Sequence, residues 1–156
     1  MIEVKKDGLK RLLESLQTIQ KERLLVGIPQ EKAQRTGEQD TNAQIGYINE
    51  YGSPANNIPA RPFLQPAMDE ILPECIPILR RGAESLDARR ALEQCGLKCA
   101  AAVKRYITQQ KGFKPPSQKT LAMRQARGFK GTKALIETGA LLGSITYVLR
   151  PTEDTQ

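Results

Sequence analysis

The sequence predicts a mixed α+β domain, with a small mixed sheet packed against a long helix and shorter helices, and a flexible basic arm attached. Three observations carry this prediction. Apolar residues recur at helical spacing between Leu9 and Ile19, the longest helical stretches fill residues 63–110, and two short apolar runs, 23–29 and 144–150, read as strands. The chain has 156 residues, which suits one domain over 1–150 followed by a frayed tail, 151–156. Of these, 36 are Leu, Ile, Val or Phe, enough to build a core and to exclude wholesale disorder.

Taken in order, Leu9, Leu12, Leu13, Leu16 and Ile19 form the stripe of an amphipathic helix over about 5–21. The run RLLVGIP that follows is short, apolar and closed by Pro29, a buried strand. Residues 30–42 are polar and contain Gly37, so they read as a loop or hairpin tip. Thr41 or Asn42 caps a short helix through Tyr51, with Ile45, Ile48 and Tyr51 on one side and Gly52 closing it in a left-handed turn. Residues 53–62, SPANNIPARP, hold three prolines and form a stiff connector, with Pro62 suited to the first turn of the next helix. That helix runs over 63–81 and should kink or split at Pro73 and Pro77. A second one, over about 85–110, turns Leu92, Cys95, Cys99, Val103 and Tyr106 or Ile107 inward. Near the end, Thr138 caps a helix of one or two turns, and SITYVLR alternates like a strand that Pro151 ends.

Composition removes several function classes. The chain has no His, the usual general base and commonest metal ligand, and no Trp among its few aromatics, so neither a His-based site nor an aromatic platform for bases is expected. No apolar run approaches the roughly 20 residues of a membrane span, and the charged, amphipathic start is unlike a secretory signal, so a cytoplasmic site of synthesis and no membrane are expected. Three Cys, at 75, 95 and 99, make an odd count that fits reduced thiols. Cys95 and Cys99 share a helix face amid small residues, the composition of a close helix contact and not of a zinc site with paired ligand couples. The segment GFKGTK at 128–133 lacks the order and setting of a phosphate loop, and no GxSxG or SxxK occurs. The acidic neighbours Asp69/Glu70 and Glu153/Asp154 point apart on a helix and read as solvated surface. No catalytic residue, metal or cofactor is expected.

The charge is concentrated. Residues 111–136 contain seven cations, Lys111, Lys114, Lys119, Arg124, Arg127, Lys130 and Lys133, and no anion, which equals the net charge of +7 for the whole chain. Gly112, Pro115, Pro116, Gly128 and Gly131 punctuate the block, and a helix over its middle would line up Lys119, Met123 and Arg127 with Leu121 nearly opposite, leaving no clean apolar face. Such a segment reads as a mobile arm, weakly held by its own domain, that orders on an anionic surface or partner.

Two stretches, IGYINEYGSPANNIPARPFLQPAMDE at 45–70 and ALIETGALLGSITYVLR at 134–150, carry a resemblance. Glu50-Tyr51-Gly52, then Ile58-Pro59 and Arg61-Pro62-Phe63 leading into a helix, then Thr138-Gly139, Leu141 and Ser144-Ile145, in this order, resemble the tail-completion or minor tail proteins of long-tailed bacteriophages. The polar stretch 30–42 and the Pro73/Pro77 pair depart from that pattern.

The resemblance implies a non-enzymatic morphogenetic protein of the virion neck, assembled in the host cytoplasm. It implies packing beside the tail terminator ring and the connector or stopper protein, near the end of the tape measure and the genomic DNA in the channel, as a ring of six copies. Arg61 on its stiff connector is then a candidate packing contact, and the seven cations of the block are candidates for DNA phosphate or an acidic neighbouring ring. The competing class is a basic nucleic-acid-binding or regulatory protein of a phage or prophage. It would call for a recognition helix with a supporting apolar face, which the sequence lacks.

Overall fold

The computed structural model describes residues 6–35 and 40–152, so residues 1–5, residues 36–39 of the expected loop or hairpin, and residues 153–156 lie outside the described residues. Among the described residues the fold is mixed α+β, with six helices and a two-stranded antiparallel sheet packed against the fourth helix. Helix α1, Lys6–Lys21, runs without a loop into strand β1, Glu22–Gly27. Strand β2, Thr146–Pro151, lies antiparallel to β1 with Glu22 opposite Pro151 and Gly27 opposite Thr146. Between them come α2, Asn42–Tyr51; α3, Leu64–Glu84; α4, Ala88–Thr108; α5, Gln118–Ala126; and α6, Ala140–Ser144.

The α3/α4 hairpin and the inner face of the sheet enclose the core. One cluster joins Phe63 and Ala67 to Val103, Ile107 and Ile145, with Val26, Ile28 and Leu142 against it. A second joins Ile71 and Cys75 of α3 to Cys95, Cys99 and Ala102 of α4, covered by Leu24 and Val26 of β1. Leu92, Cys95, Cys99, Val103 and Ile107 face inward as their spacing requires, while Tyr106 is half-buried beside Phe113. The sheet can rest this close because Gly96 has no side chain: a Cβ there would stand 2.3 Å from the Tyr147 ring. On the outer face Arg23 sits opposite Arg150 and Leu25 opposite Val148, and Leu25 remains 44% exposed.

Some local expectations are corrected. Of the kink or split expected at Pro73 and Pro77, the split does not occur: helix α3 is continuous through both. Both prolines are exposed and one helical turn apart, so their rings lie on the side of α3 away from the core. Pro62 lies before the helix, because Phe63 occupies the N-cap position. Thr138 stands one residue before the N-cap Gly139 of α6, although its Oγ1 accepts from the Ala140 N–H at 3.2 Å. Pro151 and Thr152 were expected in the frayed tail. Pro151 closes β2, and Thr152 donates its N–H to Lys21 O and its hydroxyl to Gln20 O. The stripe of α1 is only half used: Ser15 is buried, whereas Leu9, Leu13 and Leu16 are about half exposed.

The corner between α2 and α3 has a specific cause. Thr41 caps α2 in a capping box with Gln44. Gly52 then turns the chain at φ +78 and ψ 175, a conformation with positive φ but outside the left-handed helical region, and a Cβ there would stand 2.9 Å from Ala60 N. The Arg61 N–H donates to Asn49 O at 2.6 Å, bringing the connector back along α2. Phe63 offers α3 no side-chain cap, and Glu50 supplies one from across the corner. Its Oε2 accepts from the N–H groups of Phe63 and Leu64 at 2.8 and 2.9 Å, and its Oε1 from Gln65 at 2.9 Å. A carboxylate on three free N–H groups at a helix start is favoured both as a cap and by the helix dipole. Glu50→Ala should therefore lower stability by about 2 kcal/mol and Glu50→Gln by roughly half as much, read as a fall in the urea midpoint at unchanged slope. An unaltered midpoint in both variants would show that the corner holds without the carboxylate.

Candidate functional site

The segments that carry the sequence motifs meet at one recess. It has a volume of about 250 Å³ and lies between α2, the connector, α5 and the loop before α6. Asn49 of α2, Arg61 of the connector, Thr120 and Arg124 of α5, and Glu137, Thr138, Gly139 and Leu141 line it, with Arg35 closing one side. Arg61 is half-buried, and its Nε donates to the carbonyl of Lys114 at 3.2 Å, tying the connector to the start of the basic block. Arg35 Nη2 reaches Thr138 Oγ1 at 3.5 Å.

Arg124 is the only residue of α5 that is fully buried. Its side chain is 8% exposed, its Nη1 donates to the carbonyls of Gly131 and Lys133 at 3.2 and 2.8 Å, and its Nε stands 3.6 Å from Glu137 Oε2. Arg127 Nη1 lies 3.2 Å from Glu137 Oε1. Both Arg124 Nε and Glu137 Oε1 are buried without a hydrogen-bond partner, so this ion pair is incomplete as a hydrogen-bonded unit.

The seven cations do not act as one surface. Lys111 pairs with Glu70 at 2.6 Å and stands over the Tyr106 ring; Lys133 donates to Thr108 O at 3.1 Å; Arg124 and Arg127 hold Glu137. Lys114, Lys119 and Lys130 are exposed and make no side-chain hydrogen bond or ion pair with any described residue.

The block also has anchors that its lack of an apolar face did not suggest. Gln110, at φ +55, turns its amide onto the backbone of buried Ala134, donating to Ala134 O at 3.0 Å and accepting from Ala134 N at 2.6 Å. This pairing imitates a strand contact with a side chain. Sequence reasoning missed Gln110 and Glu137, and named Glu50 only as a motif position, not as the cap of α3. Glu137 had a legible signal, as the first anion after seven cations.

The thiols sit elsewhere, in the α3/α4 core. Cys75 Sγ and Cys99 Sγ are 3.7 Å apart and all three cysteines are buried and free. Burial, with Cys75 adjacent, pushes the Cys95 thiol from 9.0 up to about 12, and the same causes act on Cys99. Among the described residues no group of three His, Cys, Asp or Glu is placed to hold a metal ion, and no helix is long and apolar enough to cross a membrane.

Comparison with known proteins returns no matching family model, no matching curated protein and no matching solved structure.

Two outcomes are expected from this geometry. Gln110→Ala should speed tryptic cleavage after Lys130 roughly tenfold, since it leaves the Ala134 backbone unpaired while removing no trypsin site; equal rates in both proteins would show that the clamp does not hold the block. At pH 8 a disulfide thiol reagent should label no cysteine in the native protein and all three after denaturation, because all three are buried away from the reagent and burial pushes the Cys95 and Cys99 thiols up to about 12, far above the pH of the assay. Rapid native labelling would place them outside the core.

Proposed function

We propose that this chain is a structural, non-enzymatic morphogenetic protein of a long-tailed bacteriophage, completing the head-proximal end of the tail and taking part in head-to-tail joining. In this reading it packs beside the terminator ring and the connector or stopper, near the tape measure end and the DNA channel, as a ring of six copies. It then resides in the virion and is assembled in the host cytoplasm. The observation that carries the reading is the order of the motif segments together with their meeting in space: Glu50 caps the helix that Phe63 begins, and Arg61, Thr138, Gly139 and Leu141 share one recess. A motif set bound into one corner is what a packing joint requires, and the residues that hold it are backbone-capping and hydrogen-bonding groups.

The second reading, a basic nucleic-acid binder, is favoured by one feature, the three exposed and unpaired cations Lys114, Lys119 and Lys130. Four other cations of the block are already engaged, so duplex binding through the free ones would give a logarithmic salt slope of about −3, at roughly 0.9 per phosphate contact.

Mass spectrometry of purified particles of the encoding phage separates the two readings. The chain should be present in virions, and a deletion should yield heads and tails that fail to join. Absence from the particle, with duplex binding at the slope given, would replace the first reading by the second.

A further inference from the structure

We propose that the recess beside Arg61 and Arg124 is a carboxylate receptor, which takes an Asp or Glu side chain from an acidic segment of a protein partner. Two arginines from separate segments, Arg61 and Arg124, line it together with one acid among the described residues, Glu137, so the charge they bring to it is positive. Arg124 is fixed: its side chain is 8% exposed and two carbonyls hold its Nη1. Its Nε–H is buried and makes no hydrogen bond, with Glu137 Oε2 standing 3.6 Å away as its ion-pair partner. Arg61 is held by its Nε alone, and neither of its Nη groups has an acceptor among the described residues. Arg61 is positioned by a backbone carbonyl and keeps both Nη groups open beside the fixed guanidinium charge of Arg124, an arrangement suited to an oxyanion, and forked donors match the two oxygens of a carboxylate.

Size and shape select the source of that oxyanion. A volume of about 250 Å³ equals roughly eight waters, which admits one side chain and its carboxylate. A duplex is a broad rod that cannot enter a recess of that size, so its phosphates would meet the protruding Lys114, Lys119 and Lys130. Glu137 shows the chemistry within the chain, since its carboxylate already lies between Arg124 and Arg127. Asn49, Thr120 and Thr138 add neutral hydrogen-bonding groups at the rim for the partner's backbone.

The test uses the full chain with arginine Nε labelled for NMR. The probes are a blocked tetrapeptide carrying two Glu, its Gln counterpart, and a short mixed-sequence duplex. The Glu peptide should move the Arg61 and Arg124 Nε–H signals saturably, and the Gln peptide and the duplex should leave them in place. Arg61→Gln should weaken peptide binding roughly tenfold, as loss of a charge-assisted pair implies, and Arg61→Lys should weaken it too because the fork is lost. Lys10→Gln, which removes one exposed cation from α1, should leave binding unchanged. The proposal is overturned if the duplex moves these two signals and the peptide does not, if Lys10→Gln weakens binding as much as Arg61→Gln, or if no probe gives a saturable shift at millimolar concentration. The two proposals fail separately: particle incorporation does not require this pocket, and an acidic peptide can bind a chain that no virion contains.

Discussion

The rest of the structure depends on one carboxylate. Glu50 gathers the three leading N–H groups of α3, and this contact decides where the longest helical hairpin begins and how it is set against α2. Phe63, whose N–H is one of the three, is 3% exposed and belongs to the same core cluster as Val103, Ile107 and Ile145. A polar contact at the surface of the corner therefore positions an apolar anchor at the centre of the fold. Each such large buried side chain stabilises by about 1.5–3 kcal/mol, so the register set by the cap has energetic weight beyond its own hydrogen bonds.

Long-period apolar spacing made the fold legible. The inward row of α4 follows from residues recurring at three- and four-residue steps, and the two strands follow from short runs with branched residues bounded by Pro. Hydropathy alone did not reveal which half of the α1 stripe would be covered, because that depends on where β1 leads the chain and on the line along which α1 meets α4. The prolines of α3 were legible as residues and not as an outcome. A proline costs a helix one hydrogen bond and a clash with the preceding turn, and here both prolines are exposed while Ile71 and Cys75 between and beside them pack on α4.

The site was legible only in part, for a related reason. Composition singled out the cations of 111–136 and the connector's Arg61, but gave each the same weight. Tertiary placement divides them, burying Arg124, engaging Lys111, Arg127 and Lys133, and leaving Lys114, Lys119 and Lys130 in water. Partnerships such as Gln110 with Ala134 join residues 24 apart through a side chain that imitates backbone, and no periodicity encodes them. Charge per segment is thus a measure of potential, whereas the usable charge is what remains after internal carbonyls and carboxylates have taken their share.

The sheet has a consequence for how the molecule is made. Its paired residues lie between 119 and 129 positions apart along the chain, so the ladder closes one of the longest loops the polypeptide can form. Closure on that scale is slow relative to the formation of local helices, and it rewards the chain only once the hairpin surface that receives it exists. During synthesis β1 leaves the ribosome early and its ladder partner, β2, emerges only after nearly all of the described sequence has followed. The window between those two events is when the nascent chain is most exposed to association with its neighbours on the same messenger.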